Sequence, residues 1–417
     1  MYRGRGSYNR GHGFFDSSSG QNDGVWYAPD MDDDQGYRNH GHMGYSSGYG
    51  NRHGHSNKPT NLTVCRHHAL LDKCRYGAKC AYSHLFKRVM NMMDIFRGGI
   101  CSCTVKRASD QSLDLFACGY GPSIKRWKLY GDAGGNIKLS SGSNLVIPMP
   151  ENYDSSANRF GGRGGPGYNS GPVIHSLVCI EDFLFSGLKT GHICVHHLPS
   201  GNSTMLDGHK HPVKSITVID GIVLSVCESG KINLWTFDNS TGAFNCVNSL
   251  LTETRVNCLL EVKQDAARTL WAGGSTINII ELGSLSIAKT IQLPHGAIVR
   301  CFKLYGNHVI AGFTDGSVRI YNHLGDEVFA TEGQRAAITA LEGMEAAGGD
   351  SLLIGYKSGL LMAVQLPSFN LLGELSCHFE GPKNSSKGGI SSVISLGPKH
   401  FMTSGYDGNI SIFTWDT

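Results

Sequence analysis

Ala311-Gly312-Phe313-Thr314-Asp315-Gly316-Ser317-Val318-Arg319-Ile320-Tyr321 reads as a strand ending in small residues, a tight turn and a second strand. The same text recurs along the chain. Its echoes are Ser186-Gly187 with Thr190-Gly191, Ser225 with Ser229-Gly230, Ile354-Gly355 with Ser358-Gly359, and Ser404-Gly405-Tyr406-Asp407-Gly408. The turn glycine falls at 191, 230, 316, 359 and 408, and the gap from 230 to 316 is two periods of 43 residues. A degenerate copy, Ala272-Gly273-Gly274-Ser275-Thr276-Ile277, fills that gap, and another lies upstream at Cys118-Gly119 and Ser123 to Trp127. Seven units therefore divide residues 98–417.

A period of 40–45 residues with four short strands per unit resembles the WD-repeat β-propeller family. The expected fold is mostly β, with seven blades. The third unit carries the resemblance best, through Gly208-His209, Val213, Ser225 and Trp235. In that family His, Ser/Thr, Asp and Trp form a hydrogen-bonded tetrad within a blade, so the resemblance gives His209 a structural role. Asp stands at the tetrad position only at Asp315 and Asp407, and Trp only at Trp127 and Trp235. Tyr321, Phe413, His196 and Val364 occupy the other tryptophan positions. The sequence stops just after the third strand of its last unit, so the outer strand of that blade is expected from upstream of about residue 100.

Residues 58–88 hold a second signal. Cys65 is followed by eight residues and Cys74, five and Cys80, three and His84. Three thiols and one imidazole are the four donors of a closed, structural Zn²⁺ site, which leaves no position for water or substrate. So short a segment buries too little apolar surface to fold alone, and metal binding supplies the missing free energy. His67 and His68 are rival donors on paper, but they crowd Cys65 and read as surface residues.

The run Cys74-Arg75-Tyr76-Gly77-Ala78-Lys79-Cys80-Ala81-Tyr82-Ser83-His84 resembles the CCCH zinc finger. The resemblance implies one zinc ion held by Cys65, Cys74, Cys80 and His84, and single-stranded RNA as ligand. Tyr76 and Tyr82 map onto the base-stacking aromatics, with Arg75 and Lys79 beside the phosphates. Two features depart from the family pattern: Pro59 to Val64 replaces the basic lead-in, and there is one finger rather than a pair. The arrangement of one finger before a propeller resembles the plant proteins that join CCCH fingers to WD repeats. That family's description also includes DNA binding.

The net charge is only +3, but residues 58–88 set Lys58, Arg66, Lys73, Arg75, Lys79, Lys87 and Arg88 against the single acid Asp72. Such an excess suits a phosphate backbone. It equally suits a solvated face that offsets thiolate charge. Of 13 cysteines, three are finger donors and the rest lie mostly in apolar stretches, where free cysteine packs as a small hydrophobe. That pattern points to a reducing, intracellular setting, the nucleus ahead of the cytosol. No apolar run is long enough to span a membrane.

Residues 1–57 are expected to be a disordered tail, rich in glycine and aromatics and carrying five arginines against six aspartates. Arg3-Gly4-Arg5-Gly6 and Arg10-Gly11-His12-Gly13-Phe14 resemble the arginine–glycine-rich tails of RNA-binding proteins, and a passive linker is the alternative reading. Residues 89–97 read as a connector, and Leu85 to Phe96 fits either a short helix or a strand. Residues 131–172 interrupt the repeat as a long polar loop containing Arg159 to Tyr168, which resembles an RNA-contacting arginine–glycine–glycine box or equally a flexible excursion.

No phosphate-cradling loop, nucleophile elbow or paired acids suggest an enzyme or a small-molecule substrate. The first expectation is a zinc-dependent adaptor whose finger binds RNA and whose propeller docks proteins. The alternative is a protein scaffold, such as a ubiquitin-ligase substrate receptor, with a purely structural finger.

Overall fold

The computed structural model of the chain describes residues 61–96, 98–131, 136–148, 174–264, 267–294, 296–333, 336–346, 349–378 and 388–415. Residues 1–57, and the arginine–glycine–glycine segment 159–168, lie outside the described residues. Those described fold into seven sheets. The innermost strands, Ile100–Arg107, Ile174–Ile180, Val213–Ile219, Val256–Gln264, Val299–Tyr305, Ile338–Ala346 and Ile390–Ser395, each touch the next. The last also touches the first, which closes a ring.

Burial follows position in the blade. The second strands Phe183–Leu188, Ile222–Cys227, His308–Phe313 and His400–Gly405 each have one partly exposed residue followed by five buried ones. Neighbouring blades cover both faces of these strands, so alternation gives way to continuous apolar or small residues. The outer strand Ser286–Gln292 is exposed at six of its seven positions.

The repeating turn glycines have a steric cause. Gly191, Gly230, Gly316, Gly359 and Gly408 all take φ between +83° and +94°, which side chains disfavour. A Cβ at Gly191, Gly230, Gly359 or Gly408 would also collide with the carbonyl of His209, Thr254, His378 or Phe96. Each of those carbonyls belongs to the segment leading into the next blade. The glycine is thus where one blade's turn seats against its neighbour.

Three of the four tetrad members join where the sequence is most regular. His209 Nε2 lies 2.7 Å from Ser225 Oγ, and Trp235 Nε1 donates to the same oxygen at 2.8 Å. A second copy joins His378 to Asp407 at 3.0 Å and to Thr403 Oγ1 at 2.9 Å. His378 escapes notice in sequence because Cys377, not glycine, precedes it. His378 is 1% exposed and Thr403 fully buried, so this Thr-His-Asp set ties strands together.

Before the first blade come strand β1 (Asn61–Val64), helix α1 (Arg66–Ala69), strand β2 (Tyr82–Ser83) and strand β3 (Phe86–Met92). β3 runs antiparallel to Ile410–Trp415, pairing Phe86 with Trp415 and Met92 with Ile410. It supplies the outer strand of the last blade. The connector reading of residues 89–97 is therefore corrected: Val89 to Met92 lie within this sheet, and the finger segment 58–88 runs into it. The pairing also resolves helix against strand: Phe86 and Arg88 pair with Trp415 and Phe413, and after a bulge at Val89, Met90 and Met92 pair with Ile412 and Ile410 on the opposite face. Part of the expected loop 131–172 is likewise strand. Ile137–Ser141 forms the outer strand of the first blade, and Leu145–Val146 pairs with Ser123 and Ile124.

Phe86 is fully buried, edge-on to Phe401 and Trp415 at 5.2 and 5.1 Å between ring centroids. Removing a buried phenylalanine ring costs roughly 3–5 kcal/mol. Phe86→Ala should therefore lower the denaturant midpoint by a corresponding amount, whereas an unchanged midpoint would show that β3 does not close the ring.

Candidate metal centre and its exposed face

Local hydrogen bonds fold the finger around its donors. Cys65 N–H donates to Ser83 O at 2.7 Å, which brings the first donor beside the fourth. α1 begins at once after Cys65, with Ala69 N–H donating to Cys65 O at 2.8 Å. Asp72 takes φ +52°, and Lys73 N–H donates back to His67 O at 2.8 Å, turning the chain toward Cys74. Gly77, at φ +48°, opens a single 3₁₀ turn, Gly77–Lys79, that delivers Cys80. The ligand atoms of Cys65, Cys74, Cys80 and His84 all lie within 4.8 Å of one another. Three soft thiolates and an imidazole form a donor set that can hold a metal ion.

The thiols differ in environment. Burial pushes the Cys65 thiol up from its ordinary value, while the Tyr76 backbone N–H holds Cys74 below it. A bound cation would favour the thiolate at every position. The rival histidines take other roles: His67 is exposed, and His68 stacks on His84 at 4.1 Å with the rings 3° from parallel. That stack orients the His84 ring.

The finger is seated on the propeller. β1 pairs with β2, and Thr63 of β1 pairs with Glu374 on the outer strand Leu371–Ser376 of the sixth blade. Thr63 Oγ1 also donates to a Glu374 carboxylate oxygen at 3.2 Å. Val64 and Ala69 enter one core with Phe86, Leu375, Phe413 and Trp415. Arg88 donates to Leu70 O at 2.8 Å, and Lys87 meets Asp72 at 3.0 Å. Nothing in the sequence marks this seat, since its two sides are 311 residues apart.

Seating one side leaves the other in solvent. Tyr76 is 73% exposed and Tyr82 47% exposed, a high fraction for aromatic rings. Arg75 and Lys79 are exposed beside them. All four residues singled out for nucleic-acid contact therefore lie on an accessible surface next to the donor cluster.

No protein-family model matches the chain, and no curated protein does. Among solved structures it is similar to one described as the crystal structure of the WD40 beta propeller domain of Doa1. The two share 16% identity with a TM-score of 0.58, over 80% of this chain and 97% of that one. The likeness shows the WD40-like propeller fold.

Cobalt(II) added to the full chain tests the donor set. Tetrahedral thiolate coordination should give intense visible and near-ultraviolet bands at one equivalent, weakened in Cys74→Ser. Identical spectra for the two proteins would mean that Cys74 is not a ligand.

Proposed function

We propose that this chain is a zinc-dependent nucleic-acid-binding adaptor whose finger contacts single-stranded RNA and whose propeller docks protein partners. The observation that carries this reading is the pair Tyr76 and Tyr82, exposed together with Arg75 and Lys79 around the Cys₃His cluster. Zinc is the ion the donor set favours, and it would act by holding the finger folded, without open coordination. WD-repeat propellers commonly serve as protein scaffolds. The reading places the protein inside the cell, in the nucleus ahead of the cytosol.

Energetics limit what the finger can do alone. Each stacked base contributes roughly 1–3 kcal/mol, so two tyrosines give about 2–6 kcal/mol. Micromolar binding requires about 8 kcal/mol. Phosphate contacts from Arg75, Lys79 and neighbouring cations would supply the remainder, and that part is salt-dependent.

One observation favours a second reading, a protein scaffold such as a ubiquitin-ligase substrate receptor. β1 extends the sheet of the sixth blade, which is what a finger kept only to brace the propeller would do.

Binding to a panel of short RNA and DNA oligonucleotides at two salt concentrations separates the two. Tyr76→Ala with Tyr82→Ala should abolish base preference while leaving weak, salt-sensitive affinity, and zinc should be present at one per chain. If the double variant keeps the wild-type preference, or wild type binds no oligonucleotide, the scaffold reading replaces the first.

A further inference from the structure

Every innermost strand carries the same irregularity: its second residue is left out of the pairing register with the strand behind it. These bulges lie at one end of the ring. In some blades their side chains are neutral and engaged. Asn257 donates to Val299 O at 2.9 Å, Thr339 to Gly355 O at 3.1 Å, and Ser391 lies 2.9 Å from Ser404 Oγ. The remaining bulged residues are Cys101 of the first blade and His175, Lys214 and Arg300 of the second, third and fifth, so that Asn257 lies between Lys214 and Arg300 and the grouping is by charge, not by arc.

Two more cations join them, Lys189 from the turn after Leu188 and Arg255 just before its strand. Burial, then Lys214, Lys189 and Arg300, push His175 down to about 4, so these groups share one neighbourhood. Burial, Arg300 and Arg255 lower Lys214 in the same way. One carboxylate stands among them: Glu228 meets Lys214 at 3.4 Å and also contacts Arg255. Other carboxylates at this end are Asp94, Asp207, Glu253 and Glu332 in the segments leading into innermost strands, and Asp315 and Asp407, which are engaged by Ser317 and His378. The rim thus gathers Lys189 and Lys214, both half-buried, with the exposed Arg255 and Arg300 near Glu228.

The chain carries a matching polyanion. Residues 11–37 contain six aspartates and no lysine or arginine, with Asp30, Asp32, Asp33 and Asp34 closely spaced. We propose that this acidic segment docks in cis on the cationic rim formed by Lys189, Lys214, Arg255 and Arg300. Reach permits it. Residues 35–60 can span up to about 90 Å, against a radius of gyration of about 20 Å for a domain of this size. The finger is the competing basic surface, but its cations sit beside Cys65, Cys74 and Cys80, whose thiolates would offset them. Docking in cis would screen the rim from other polyanions until a partner displaces the segment. This inference does not depend on RNA binding by the finger.

Zero-length carbodiimide cross-linking of the full-length protein, read by mass spectrometry, tests it. The expected product joins Asp30–Asp34 to Lys189 or Lys214, at a yield independent of protein concentration. In 1 M salt, where screening acts within about 3 Å, the yield should fall several-fold. Lys214→Ala with Arg300→Ala should likewise lower the yield at Lys189. Absence of the product, or aspartates joined instead to Lys73 or Lys79 of the finger, overturns the proposal. So does a product found only between light and heavy isotopic copies in a mixed sample, because the occupant would then be a second chain.

Discussion

The antiparallel pairing of β3 with Ile410–Trp415 is the contact on which the remaining architecture rests. A ring of sheets is stable only if no blade is left with an open edge and an uncovered core face. Here the strand that covers the last blade lies more than 300 residues upstream, and it begins two residues after His84. Metal donor and closing strand are therefore joined almost without slack. Loosening one transmits directly to the other, since Phe86 is locked between Phe401 and Trp415 while Val64 and Ala69 pack into the same core.

That coupling explains why a segment of about 25 residues persists on a large propeller. The finger adds little apolar area of its own, but it does not fold on its own area. It borrows the core of the last two blades on one side, while the other carries the Cys₃His donor set that can hold a metal ion. Seating also decides which residues face solvent. With α1 and β1 turned inward, the loop carrying Tyr76 and the strand carrying Tyr82 can only face outward.

Much of this was legible in sequence, for physical reasons that differ by element. The turn glycines stood out because a positive φ and a close carbonyl admit no side chain, so the pattern survives where other repeat residues drift. His209, Ser225 and Trp235 were readable for the same reason: a buried hydrogen-bonded set tolerates few substitutes. The clustering of Cys65, Cys74, Cys80 and His84 into a donor set that can hold a metal ion was readable from their spacing. Outer strands were not. Ile137–Ser141 faces solvent on most of its length, so its composition is that of a loop, and β3 is too short and too charged at Lys87 and Arg88 to show its period. His378 was hidden because only Asp407 and Thr403, distant in sequence, reveal its role. The cationic rim was invisible for a further reason: Lys189, Lys214 and Arg300 sit in three different blades, and only ring closure gathers them.

Hydrogen exchange on the full chain, with and without a metal chelator, tests the coupling of finger to ring most directly. The account predicts that chelation raises exchange over residues 61–84 and also over β3, Leu371–Ser376 and Ile410–Trp415, while strands of the third and fourth blades, such as Ile222–Cys227 and Ala267–Gly274, keep their protection. An increase confined to residues 61–84 would contradict it, because the finger would then be an appendage whose folding leaves the closing strand untouched.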